Sequence, residues 1–268
     1  MLTNTASVTP RPTITDPAQL GTVLGVWAHP DDEAFLAAGL MAGARRAGHR
    51  VACITATLGE RGTDDPQRWP PRRLAAVRRL ELRASLAALD VTEHHLLGVV
   101  DGRCATESAP ARIAQISRIV EQVAPDTIVT FGPDGYTGHE DHQTVSDWAR
   151  AARDLTAPHA RLLFATSTDE FVRRWSPARD AFDVFLAEGL PLATPESALA
   201  VRVDLDPDQV DRKLVALRAQ ASQTTALFDA LGETRIREWW STEAFVSADD
   251  ADDADRDAAS WGTWQVAA

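Results

Sequence analysis

Two short stretches hold most of the groups able to do chemistry. Residues 28–33 read AHPDDE and residues 132–142 read GPDGYTGHEDH. In the first, His29 and Pro30 are followed by three acids in a row, Asp31, Asp32 and Glu33. Adjacent carboxylates repel one another unless a cation or a helix N-terminus offsets their charge. A plain loop, with Pro30 ending a strand and an Asp capping a helix, accounts for one or two acids but not for the histidine before them. In the second stretch, His139 and His142 lie three apart on what should be the first turn of a helix, so they share a face. One histidine there is more often a cap; two, after a strand end, point to a metal. Imidazoles with one carboxylate, no thiolate and a position left for water form the ligand pattern of catalytic zinc, and ferrous iron could use the same donors. His29, Asp32 and His142 are the natural set. Asp31 and His139 then stand beside the metal, where a carboxylate can take a proton from water and an imidazole can polarise a carbonyl or protonate a leaving amine.

Strands must bring these stretches together. Residues 22–28 (TVLGVWA), 51–57 (VACITAT) and 127–131 (TIVTF) are short apolar runs that read as strands, and 94–98 is expected as a further short strand. Helices are expected over 34–47, 72–89 and 111–123. This alternation predicts an α/β fold: a doubly wound, mostly parallel, Rossmann-like sheet with helices on both faces. In the common winding order the fourth strand lies beside the first, and both motifs then follow strand ends at the switch point, where such sheets place their sites. Residues 1–20 read as a flexible leader and 21–247 as one domain, with a core over 21–165 and a C-terminal extension over 166–247. Within the extension, a strand over 198–205 and a helix over 207–221 are expected. Residues 248–268 read as an acidic tail.

Composition narrows the partners. With 268 residues, 44% of them hydrophobic, the chain can bury a large core. A net charge of −12 disfavours nucleic acid and a membrane surface. Two cysteines, Cys53 and Cys104, offer no disulfide framework or thiolate zinc site. No signal peptide or membrane span is read, so a cytoplasmic location is expected, with a homo-oligomer left open.

AHPDDE, followed after a later strand by H-x-D-H, resembles the LmbE-like or PIG-L family of zinc-dependent N-acetylglucosaminyl deacetylases. TLGERG at 57–62 resembles the family's T-x-GE-x-G loop, VRRLELRASLAALDV at 77–91 its R-x-x-E helix, and LGVVDG at 97–102 its turn ending in Asp-Gly. A weaker echo follows in KLVALRAQASQ at 213–223. The resemblance implies hydrolysis of the N-acyl, first of all N-acetyl, amide of an amino sugar, a small-molecule substrate. It implies one Zn2+ per chain, or Fe2+ in the same ligands, on His29, Asp32 and His142. It also makes Asp31 the general base and His139 the oxyanion partner, with Asp141 orienting the His139 ring. Glu140 stands where the family usually has Pro, and Tyr136 lies three before His139 where some members place a Tyr two before.

On the helix from Arg72, Arg78 and Glu81 fall inside the apolar arc, where they should pair with each other or reach the crevice. The resemblance favours Arg78 as a sugar-hydroxyl contact. Asp101 and Glu60, in loops beyond strand ends, are candidate hydroxyl acceptors, Tyr136 a further substrate contact, and Trp69 a stacking platform if it is not merely packed. Rival readings are an amidase for a mycothiol-type thiol conjugate and, from another class, a non-catalytic zinc-binding module. A structural site would close its fourth position with a protein ligand, which leaves Asp31 and His139 without a purpose.

Overall fold

The structure, a computed structural model, describes residues 12–179, 185–187 and 189–250. In chain order its elements are β1 (Val23–Trp27), α1 (Asp32–Leu36), α2 (Ala38–Arg46), β2 (Val51–Thr55), α3 (Pro71–Ala88), β3 (Glu93–Leu96), α4 (Ala109–Val123), β4 (Thr127–Phe131), α5 (Gly135–Gly138), α6 (Glu140–Thr156), β5 (Arg161–Thr168), α7 (Asp169–Arg179), β6 (Ala193–Thr194), β7 (Val201–Asp204), α8 (Pro207–Ala219), α9 (Ala221–Leu231), α10 (Glu233–Trp239) and β8 (Thr242–Ser247). The sheet runs β3-β2-β1-β4-β5-β8-β7, with β6 beside β5. The first five strands are mutually parallel. β1, β2 and β4 are buried along their whole length, as continuous apolar runs between two helical layers must be. Trp27 and Phe131, on neighbouring strands, meet edge to face at 5.2 Å.

The winding reverses between β1 and β4, so the loops after these two strands open into one crevice. The doubly wound, mostly parallel sheet expected from the pattern is therefore present. The extension joins it antiparallel: β8 lies between β5 and β7.

Three expectations need correction. The helix expected over 34–47 is two, because Ala37 leaves helical geometry (φ −143°, ψ 14°) and α2 starts afresh. The new helix start is viable because the Glu243 carboxylate on β8 accepts its amides, Gly39 N–H and Leu40 N–H, both at 2.8 Å. The helix from Pro207 ends at Gln220, and α9 leaves from there. The leader is ordered over 12–20: Ile14 bridges to Val201, Asp16 caps a 3-10 turn and Leu20 is fully buried. Residues 1–11 and the greater part of the acidic tail, 251–268, lie outside the described residues.

One histidine of the sheet makes a stability prediction. His94 on β3 shares a 3.0 Å hydrogen bond with Thr55 Oγ1. Burial, with the positive charges of His95 and Arg79 nearby, pushes its pKa down from 6.5 to about 4. The unfolded chain takes up this proton first, so stability is lost as pH falls from 6.5 through 4, by at most about 3 kcal/mol. In His94→Gln, urea midpoints measured between these pH values are expected to fall less steeply than in the parent. Parallel curves would remove His94 from the acid limb.

Candidate active site

The loop after β1 is turned sharply. Asp31 has φ 98°, a left-handed conformation that costs an L-residue about 1–3 kcal/mol unless its surroundings hold it. They do: Glu33 Oε2 accepts the Asp31 N–H at 3.0 Å, and Arg78 donates to Pro30 O at 2.5 Å and to Asp31 Oδ2 at 3.1 Å. Glu33 itself is fully buried, accepting Ser85 Oγ–H (3.0 Å) and Gln220 Nε2–H (3.1 Å) through Oε1. Arg78 also donates to Gly59 O (2.8 Å), an approach that only glycine allows, since a Cβ at Gly59, where φ is 61°, would collide with the guanidinium.

The two motifs meet as the strand order requires. His29 Nε2 lies 3.1 Å from Asp101 Oδ1 and 3.3 Å from Asp141 Oδ2, which places the ring proton on Nε2 and leaves the Nδ1 lone pair bare. His142 Nδ1 lies 2.9 Å from Gly135 O, which leaves its Nε2 lone pair bare. The two bare nitrogens face each other at 3.0 Å, and Asp32 oxygens stand 3.8 Å from the first and 3.4 Å from the second. Facing lone pairs at that distance repel unless a proton or a cation lies between them. Asp32 Oδ2 accepts the His29 N–H at 2.7 Å, and the distances from His142 Nε2 to His29 Nδ1 and to Asp32 Oδ1, 3.0 and 3.4 Å, bracket the roughly 3.3 Å expected between donors on a tetrahedral ion with bonds of about 2.0–2.1 Å, so the residues fit zinc. His139 brings a further donor within 4.8 Å of His29 and His142. However, its Nδ1 accepts the Asp141 N–H at 3.1 Å as the N-cap of α6, so its proton sits on Nε2.

The local field favours positive charge. Burial alone would lower the pKa of His29, yet hydrogen bonds to Asp101 and Asp141 and the charge of Asp32 raise it to about 10. Burial lowers His142 to about 4 against the pull of Asp32. Burial raises Asp31 to about 7; Arg78 opposes this and Asp32 adds to it. Asp141 stays well below the usual carboxylate range: burial would raise it, but His29 and the backbone amides of Cys104 (3.0 Å) and Gly102 (2.7 Å) hold it ionised.

A cavity of about 620 Å3 opens over this cluster. His29, Asp31, Asp32, Arg78, Asp101, His139 and His142 border it on one side, and Tyr136 reaches it with its hydroxyl bonded to Ser167 at 3.0 Å.

Residues 24–153 match the family described as PIG-L, GlcNAc-PI de-N-acetylase. A 1D-myo-inositol 2-acetamido-2-deoxy-alpha-D-glucopyranoside deacetylase of Saccharomonospora viridis is 31% identical over 255 residues, covering 84% of this chain and 94% of that one. The chain belongs to the PIG-L family. Its fold is also that of N,N'-diacetylchitobiose deacetylase from Pyrococcus horikoshii (TM-score 0.61, 18% identity, 87% of this chain and 86% of that one). Teicoplanin deacetylase in a zinc-inhibited form superposes with TM-score 0.59 at 18% identity, covering 85% and 99%. The protein is a hydrolytic N-deacetylase.

Within this PIG-L site, several side chains have partners that the sequence did not show. Arg78 pairs with Asp31, while Glu81 accepts Ser222 N–H (2.7 Å) and Oγ–H (2.6 Å) on α9. The Asp141 carboxylate reaches His29, and it is the Asp141 backbone amide that orients His139. Asp101 borders the cavity, but its oxygens are taken by His29 and by Arg61 N–H (2.8 Å). Glu60 accepts the Asp101 N–H at 3.1 Å and is not among the residues around the cavity. Trp69 has the guanidinium groups of Arg68 and Arg73 at 5.9 and 5.1 Å from its ring and likewise is not in that wall. Glu33, the last of the three successive acids in the first motif, supports Asp31 by accepting its N–H. Its excess over what a helix start needs was the available signal.

Proposed function

We propose that this deacetylase hydrolyses the N-acyl amide of an amino sugar, acetamides of glucosamine derivatives first, with His29, Asp32 and His142 holding one zinc ion. Zinc bound there would acidify water and polarise the amide carbonyl. The carrying observation is the pair of imidazole nitrogens that face each other at 3.0 Å beside Asp32, with an acid, Asp31, and a further imidazole, His139, on the same cavity. Asp31 removes a proton from the attacking water, whose oxygen bonds to the carbonyl carbon. His139 aims its Nε2–H at the oxygen on which negative charge develops. The proton held by Asp31 passes to the sugar nitrogen, the C–N bond breaks, and a carboxylic acid and a free amine leave. Asp101 and Asp141 fix the His29 tautomer, as partners behind a metal-bound imidazole commonly do. Arg78 holds Asp31 in place, and with Asp101, whose carboxylate holds His29 and the Arg61 amide, it forms part of the cavity border.

The test is His142→Ala. Elemental analysis should show metal content falling from about one ion per chain to near none, with acetate release from N-acetylglucosaminides lost in parallel. His139→Ala should keep its metal and lose most of its rate, by about 10²–10³-fold as for removal of an oxyanion donor. Full metal retention in His142→Ala would overturn the ligand assignment. The glucosaminyl-inositol acetamide named for the Saccharomonospora relative belongs in the substrate panel.

A further inference from the structure

The cavity that holds the catalytic cluster is also bordered by an apolar wall. It is built by Phe35 and Leu36 at the end of α1, Phe171 and Trp175 on α7, Leu227 on α9, and Trp240. Its rings touch in sequence: Phe35 to Trp240 at 5.6 Å, Trp240 to Phe171 at 5.9 Å and to Trp175 at 5.1 Å. Phe35, Phe171 and Leu227 are only partly buried, so the cavity is where their remaining surface faces. Phe35 follows Asp32 by less than one helical turn, which makes wall and metal ligands parts of one chamber.

An acetamide on a single sugar ring can lay its C–H face on one aromatic ring but leaves most of such a wall bare. A chamber of about 620 Å3 matches a drug-sized molecule, and aromatic side chains lining one face of it stay wet unless apolar matter covers them. A polyol placed there would leave hydroxyls without partners, a loss for each one buried. Because the wall shares its chamber with the reacting centre, an occupant that is not part of the substrate would exclude the substrate.

We propose that the amino-sugar substrate carries an apolar substituent, an aryl group or an alkyl chain, which lies on this wall while its amide is hydrolysed. The inference rests on the amide-hydrolase reading above. The substituent has two sources, the acyl group itself or the group on the anomeric oxygen, and the chemistry recognised is the same.

Two substrate series given to the zinc-loaded, full-length enzyme separate them. One keeps the N-acetyl group and varies the glycoside from methyl to hexyl, octyl and phenyl; the other keeps a methyl glycoside and varies the acyl group from acetyl to hexanoyl, octanoyl and benzoyl. With free-amine release as the readout, kcat/KM is expected to rise along one series by about fourfold per methylene covered, the equivalent of ~0.8 kcal/mol. The series that rises identifies the position of the substituent. Phe171→Ala and Leu227→Asn are then expected to reduce the ratio of kcat/KM for the octyl or octanoyl substrate to that for the methyl N-acetyl parent at least tenfold. A ratio taken on one protein preparation is insensitive to a misfolded fraction. Two flat or falling series, or ratios that neither substitution moves, overturn the apolar substituent while leaving the deacetylase reading intact. Absence of amine from every substrate, the methyl N-acetyl parent included, overturns the deacetylase reading and this inference with it.

Discussion

Asp31→Asn is expected to keep its full metal content and lose about 10²–10⁴ of kcat, the range associated with removal of a positioned general base. The substitution is well suited to isolate chemistry from structure. Asn is among the few residues that tolerate a left-handed backbone, so the φ of 98° survives, and the amide keeps an oxygen for the Arg78 guanidinium at 3.1 Å. The donor triple formed by His29, Asp32 and His142 does not include the side chain that changes. What is lost is the ability to accept a proton. The pH dependence should show it. As the proposed base Asp31 must be ionised; burial pushes its pKa up and Arg78 and any cation nearby push it down, so the parent's rate is expected to rise with pH as this carboxyl ionises. In Asp31→Asn that acid limb should vanish from kcat/KM. A variant with near-parental rate, or one with an unchanged acid limb, would show that another group takes the proton.

Glu243→Ala is expected to destabilise the fold by about 3–5 kcal/mol, the range for removing one member of a buried ion pair. Glu243 and Lys213 each expose 1% of their side chains and meet at 2.8 Å. Burial holds the Lys213 ammonium pKa below its ordinary value, with Glu243 opposing that shift. The carboxylate also accepts the first free amides of α2, so its loss strands a buried cation and two backbone donors together. Lys213→Met should cost less, because the remaining carboxylate keeps both amides and the positive end of the α2 helix. Combining Lys213→Met with Glu243→Gln should cost less than the sum of the single changes. Urea midpoints at constant m-value decide this; equal losses in the two single variants would show that the amides of Gly39 and Leu40 do not depend on Glu243.

The parts of the fold legible in the sequence are those whose cause is local. TVLGVWA and TIVTF are apolar strands wherever they occur, and each is followed by its own polar loop, so the convergence of His29 with His142 followed from strand order alone. Partners far along the chain left no such mark. Glu33 meets Ser85 and Gln220 at sequence separations of 52 and 187 residues. Arg78 and Glu81 share a helix face, which suggests a mutual pair, yet the folded chain offers Arg78 the Asp31 carboxylate and Glu81 the amide of Ser222. The break at Ala37 was hidden for the same reason: alanine is a good helix former, and what makes a second helix start tolerable there is a carboxylate on the last strand. The apolar wall escaped notice because its members come from four separate segments of chain, each ordinary in itself.

The origin of that wall bears on how function diverges in this lineage. The stretch that matches the PIG-L family, residues 24–153, carries the donor triple, Asp31 and His139, whereas Phe171, Trp175, Leu227 and Trp240 all come from beyond it. The groups that would break the bond thus lie in one stretch, and most of the wall, Phe35 and Leu36 excepted, lies in another. Mutation can retune the second without disturbing the first. Likeness confined to the shared stretch therefore reports the reaction that two cousins inherit and is silent about their diets.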